Sequence, residues 1–133
     1  MKILDGTNAV MGRLASHVAK EALKGEEIIV VNCKEVVVTG NRKMNETKLL
    51  ERRGRVGTAQ KGPKHHRSSE KMVKRVIRNM LPNYRNGRGR EAWKRIKCYD
   101  LVPAELKDKK MIKMAKDKIG KHTKVEALLS YNG

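Results

Sequence analysis

The sequence predicts an α/β domain, and three observations in its first forty residues carry that expectation. "MKIL" opens as a short apolar strand; apolar residues then recur at helical spacing from Met11 to Leu23; "EEIIVVNC" follows as a β-branched run without polar alternation. A strand that is apolar on both faces must be covered on both, as in parallel sheets flanked by other layers. Strand, helix and strand in this order make a βαβ unit with a right-handed crossover. At 133 residues the chain is expected to form one domain, 1–133, with a core of ordinary size.

The elements follow in order. "DGTN" supplies turn and cap chemistry after the first strand. Met11, Leu14, Ala15, Val18, Ala19, Ala22 and Leu23 form one helix face, closed by Gly25. "KEVVVTG" gives another short β-branched run. Residues 42–54 are helix-like but polar, and "GRVGTAQKGPKHHRSS" reads as a long irregular basic arm. So long a loop is uncommon in a compact domain without a task. Ser69 is placed to cap the next helix, whose inner face is Met72, Val73, Val76, Ile77, Met80 and Leu81. Lys71, Lys74, Arg75 and Arg78 form its outer face, and Pro82 stops it. A short helix near 88–95 and a strand over "IKCYDLV" come next. Pro103 suits the first position of a helix and opens a Lys-rich, helical C-terminal region from about 103. "TKVE" has the capping-box pattern of a last short helix.

Charge is the strongest functional signal. The formal net charge is +18 with a pI near 10.3. Residues 1–40 hold five Lys/Arg and five Asp/Glu; residues 41–99 hold nineteen Lys/Arg and four Glu. Eleven of the twelve arginines lie in that middle segment. A general solubility charge would be diffuse and rich in Lys. A segregated Arg block suits bidentate recognition of phosphate, so a phosphate polymer is the expected partner. Aromatics total 3% and Phe is absent, which excludes a row of base-stacking platforms. Contacts should then go mainly to phosphate and sugar, with folded RNA recognised by shape. Duplex DNA is an alternative, although no DNA-reading motif is present.

Enzyme signatures are missing. The first strand–turn–helix lacks GxGxxG, and "GTAQKGPK" has Pro63 where a P-loop needs its lysine. His65 and His66 are adjacent, without a Cys, Asp or Glu cluster to complete a metal shell. Ser68 and Ser69 have no His–acid pair spaced to activate them. Cys33 and Cys98 lie in strand-like runs outside any CxxC and are expected to be buried thiols. No catalytic residue, metal, cofactor or small-molecule substrate is therefore expected. The longest apolar run, "IIVV", is far too short for a membrane span, and no signal-peptide pattern opens the chain, so a cytoplasmic location is the default. Trp93 and Tyr99 read as packing residues, whereas Tyr84 sits in the basic turn with contact and structural roles both open.

"LDGTNAVMGRLAS", "IIVVNCKEVVVTGN" and "NMLPNYRNGRGREAWKRIKCY", in this order and spacing, resemble the universal large-subunit ribosomal protein L thirteen family over roughly residues 3–103. The short link "LKGEE" is similar to the archaeal/eukaryotic branch; Asn79 departs from the glycine usual before "MLP". The resemblance implies a three-layer α/β/α domain with a small, mostly parallel four-stranded sheet and basic loop extensions. It also implies binding to large-subunit ribosomal RNA beside neighbouring large-subunit proteins, a role in subunit assembly, a ribosomal location and no catalysis. With the charge map, this makes Lys61, Lys64, His65, His66, Arg67, Arg75, Arg78, Tyr84, Arg85, Arg88, Arg90, Lys94 and Arg95 the expected RNA contacts. A nucleotide-binding enzyme on the α/β core and a DNA-compacting protein are the competing classes.

Overall fold

Alternate residues of the first two strands face opposite ways, and both directions lead into apolar cover. Leu4, Ile28 and Val30 enter a large core with the helices, while Ile3 and Val31 pack with Leu106 on the other face. This is why "EEIIVVNC" lacks polar alternation. The structure, a computed structural model, describes residues 1–55, 65, 67–115 and 120–130.

Strand β1 (Lys2–Asp5), helix α1 (Met11–Leu23) and strand β2 (Ile28–Val31) form the expected βαβ unit, with Ile3 beside Ile29 and Leu4 beside Val30 in a parallel pair. Helix α1 buries Leu14, Ala15, Val18, Ala19 and Ala22, and Gly25 follows it at φ +103°. Burying each Leu or Val side chain contributes about 1.5–3 kcal/mol. "DGTN" supplies a turn but no side-chain cap. Asp5 Oδ1 accepts hydrogen bonds from Thr7 N and Oγ1 at 3.0 and 2.7 Å, and α1 begins at Val10 without a capping side chain.

Strand β3 (Val37–Thr39) does not join the main sheet as a neighbour of β2. The 3₁₀ turn Cys33–Glu35 redirects the chain through Asn32 at φ +57°, so Cys33 lies in that turn and not in a strand. Helix α2 (Arg42–Gly54) is capped by Asn41, whose side chain accepts from Lys43 N at 3.0 Å. Helix α3 (Ser69–Asn79) buries Val73 and Ile77 against α1 and the sheet. Its cap is not Ser69: Asp100, thirty residues away in sequence, accepts from Glu70 N at 2.8 Å. Met80, expected inside, is 42% exposed, while Leu81 is buried. Helix α4 (Gly87–Lys94) buries Ala92 and leads into strand β4 (Ile96–Cys98), which pairs in parallel with β2.

The C-terminal region departs most from expectation. Pro103 precedes one 3₁₀ turn, Ala104–Leu106, and does not open a long helix. Strand β5 (Ile112–Lys113) then pairs with β1, giving the parallel order β4-β2-β1-β5. The segment between β4 and β5 forms the thin second cover of the sheet through Val102, Leu106 and Met111. Strand β6 (His122–Lys124) pairs antiparallel with β3, and helix α5 (Val125–Leu129) follows directly. Thr123 is therefore a buried strand residue and makes no capping box with Glu126.

Candidate nucleic-acid interface

The basic residues of 67–95 ride on two helices whose inner faces are fixed by the core. Val73 and Ile77 hold α3 inward, which leaves Lys71 exposed and Arg75 and Arg78 half-buried on the other side. Lys74 Nζ lies 4.7 Å from the Trp93 ring centre, so Trp93 both packs against the core and carries a cation. Such a contact contributes about 0.5–1 kcal/mol at an exposed site.

Tyr84 joins α3 to the following turn. Its ring centre is 4.6 Å from the Arg78 guanidinium carbon and 5.4 Å from that of Arg85. Arg85 Nε also donates to the Tyr84 hydroxyl at 3.2 Å. That hydrogen bond, aided by the charges of Arg85, Arg78 and Arg75, holds the phenol pKa below its ordinary value. Tyr84 thus sets two guanidinium groups in one place. Arg88, Arg90 and Lys94 are exposed on α4, and Arg90 Nη1 donates to the Arg85 carbonyl at 3.4 Å. Arg67 is exposed just before α3. Arg95 is turned back into the fold: Nη1 donates to the Ala22 carbonyl at 3.0 Å, and Nη2 is 3.7 Å from Glu91. Lys61, Lys64 and His66 lie outside the described residues.

A second basic cluster involves residues the sequence reading passed over. Arg52 and Arg55, at the end of α2, line a cleft of about 500 Å³ with His65 and Arg75. Burial, then the charges of Arg75, Arg52 and Arg53, push the His65 pKa down. The signal was the "ERRGR" run that ends α2, read as the tail of a merely polar helix.

Among the described residues, no three His, Cys, Asp or Glu side chains group as a metal site. Cys33 and Cys98 are free thiols. The neighbouring Cys98 thiol, then burial, push the Cys33 pKa up. No described helix is long and apolar enough to cross a membrane. Gly6, in the first strand–helix junction, has no room for a side chain: a Cβ there would lie 2.8 Å from Val36 Cγ2 and 3.0 Å from the Val31 carbonyl oxygen.

The sequence profile of the family described as Ribosomal protein L13 matches residues 1–105. Among similar chains, the large ribosomal subunit protein uL13 of Thermoplasma volcanium is 40% identical over 86% of this chain and 82% of its own length. The uL13 of Methanocaldococcus jannaschii is 44% identical over 80% and 79%, and that of Methanococcus maripaludis 46% over 77% of each. A match over most of the chain, a βαβ core with "LDGTNAVMGRLAS" at its first junction, and an Arg-bearing surface on α3 and α4 agree, and the chain belongs to the ribosomal protein L13 family.

Proposed function

We propose that this chain binds large-subunit ribosomal RNA through the surface formed by α3, the turn at Tyr84 and α4, and that it supports subunit assembly next to neighbouring ribosomal proteins in the cytoplasm. It acts as a single domain, 1–133, in which the βαβ part is the frame. The family is one of structural ribosomal proteins and not of enzymes. The observation that best supports the reading is the grouping of Arg78 and Arg85 against the Tyr84 ring, with Arg88 and Arg90 exposed on the next helix. Guanidinium groups held in place lose less entropy when they meet phosphates than free side chains do. Gly87, exposed at φ +64° with open space around it, keeps bulk off the turn where a phosphate backbone would approach, whereas Gly89 is buried against Pro82.

The test is co-sedimentation of the protein with large ribosomal subunits through a high-salt wash. The wild type should remain with the subunit, and an Arg88→Ala/Arg90→Ala variant should be washed off at lower salt with an unchanged circular dichroism spectrum. Equal retention of both proteins would remove α4 from the interface.

A further inference from the structure

The cleft at the end of α2 combines apolar and cationic side chains in its lining. Met11, Leu49, Met72 and Val76 line it together with Arg52, Arg55, Arg75, His65 and Asn79. Its volume of about 500 Å³ falls within the roughly 300–1,000 Å³ of pockets that take small ligands. A surface that meets only phosphates needs charge and no apolar lining. Apolar area beside cationic groups matches a flat heteroaromatic ring joined to a phosphate. RNA presents that unit wherever a base is splayed out of its stack, and such bases are held on aromatic or guanidinium planes and in apolar slots. In a chain with 3% aromatic residues, polarisable Met side chains and Arg planes are the available substitutes.

We propose that this cleft receives one unstacked nucleotide of the bound RNA, its base against Met11, Met72 and Val76 and its phosphate between Arg52, Arg55 and Arg75. The inference rests on the RNA-binding reading above and adds a site for a base to a surface otherwise read as contacting phosphate. His65 adds a polar handle. In the free protein, burial and the neighbouring arginines disfavour its charged form, and its ring nitrogens can hydrogen-bond a base edge.

Two probes separate base from backbone: a mixed-sequence eight-nucleotide RNA, and an oligomer of the same ribose-phosphate backbone without bases. Each is titrated into the full chain carrying ¹³C-labelled methionine methyls. The base-bearing oligomer should shift the Met11 and Met72 methyl signals and bind about tenfold tighter, the worth of one stacked base. Met72→Trp, which fills the cleft, should bring its affinity down to that of the abasic oligomer, with circular dichroism checking the fold. Equal affinities and unmoved methyls in the wild type would overturn the inference and leave RNA binding intact. A difference in affinity without methyl shifts would place the base elsewhere and overturn it too. Failure of both oligomers and of ribosomal RNA to bind would instead remove the RNA-binding reading and this site with it.

Discussion

The Pro82 carbonyl oxygen lies 1.5 Å from the point where a Cβ on Gly89 would stand. The turn that ends α3 is thereby pressed onto the first turn of α4, and the two basic helices are locked together at a place where no side chain fits. Gly89→Ala should cost about 3 kcal/mol or more, because backbone has to move to admit the methyl group. Gly12→Ala, at an exposed position of α1 with open space around its Cβ, should stabilise by about 0.5–1 kcal/mol. Urea midpoints of the two variants check both signs.

Arg95 and Arg88 sit seven residues apart and should behave oppositely. Arg95 reaches the carbonyl of Ala22 in the last turn of α1, where a cation is favourable. Arg95→Ala should lower stability by about 1–2 kcal/mol. Arg88→Ala should stay within about 0.5 kcal/mol of the wild type and weaken RNA binding. Denaturant curves and RNA titrations on the same preparations distinguish the two roles.

Tyr84 should act through its ring. Tyr84→Phe keeps the ring against which Arg78 and Arg85 rest and should bind RNA nearly as the wild type does. Tyr84→Ala releases both guanidinium groups, each held by about 0.5–1 kcal/mol, and should weaken binding roughly three- to tenfold. Filter binding at constant salt measures the difference. Equal loss in both variants would mean that the hydroxyl, not the ring, matters.

Asp5 ties the end of β1 to Asn32, whose Nδ2 donates to Oδ1 at 3.0 Å. Burial raises the Asp5 pKa, but the hydrogen bonds from Asn32 and Thr7 outweigh it, and the net shift is downward. The unfolded chain therefore takes up this proton first as pH falls. The stabilisation from Asp5 is complete above its unfolded pKa, near 4, and is lost as pH falls through the lower folded value. Asp5→Asn should flatten the acid side of the stability–pH curve, with little change in its slope above pH 6. Chemical denaturation at a series of pH values reads this directly.

The βαβ unit was legible because α1 and β2 state their period plainly. The same β-branched signal marks β3 within "KEVVVTG", but apolar content does not say which strand it will pair with. Its partner is "HTK", three residues without a strand pattern, and β5 is only Ile112 and Lys113. Both join through backbone hydrogen bonds, which leave little trace in side-chain pattern. The cap on α3 was hidden for a related reason: Ser68 and Ser69 are local candidates, whereas Asp100 arrives through tertiary structure. Of the candidate site, the outward face of α3 and the residues of α4 could be read from helical spacing. The inward turn of Arg95 and the Arg52–Arg75 cleft depend on which helix ends meet, and spacing carries no such information.

The most direct test of the account is the salt dependence of binding to large-subunit ribosomal RNA. If about six phosphates are neutralised, log K against log salt should fall with a slope of about −4 to −5. The Arg88→Ala/Arg90→Ala variant should lower the magnitude of that slope by about 1.5. A wild-type slope near −1, or a variant slope equal to that of the wild type, would contradict an arginine–phosphate interface on α3 and α4.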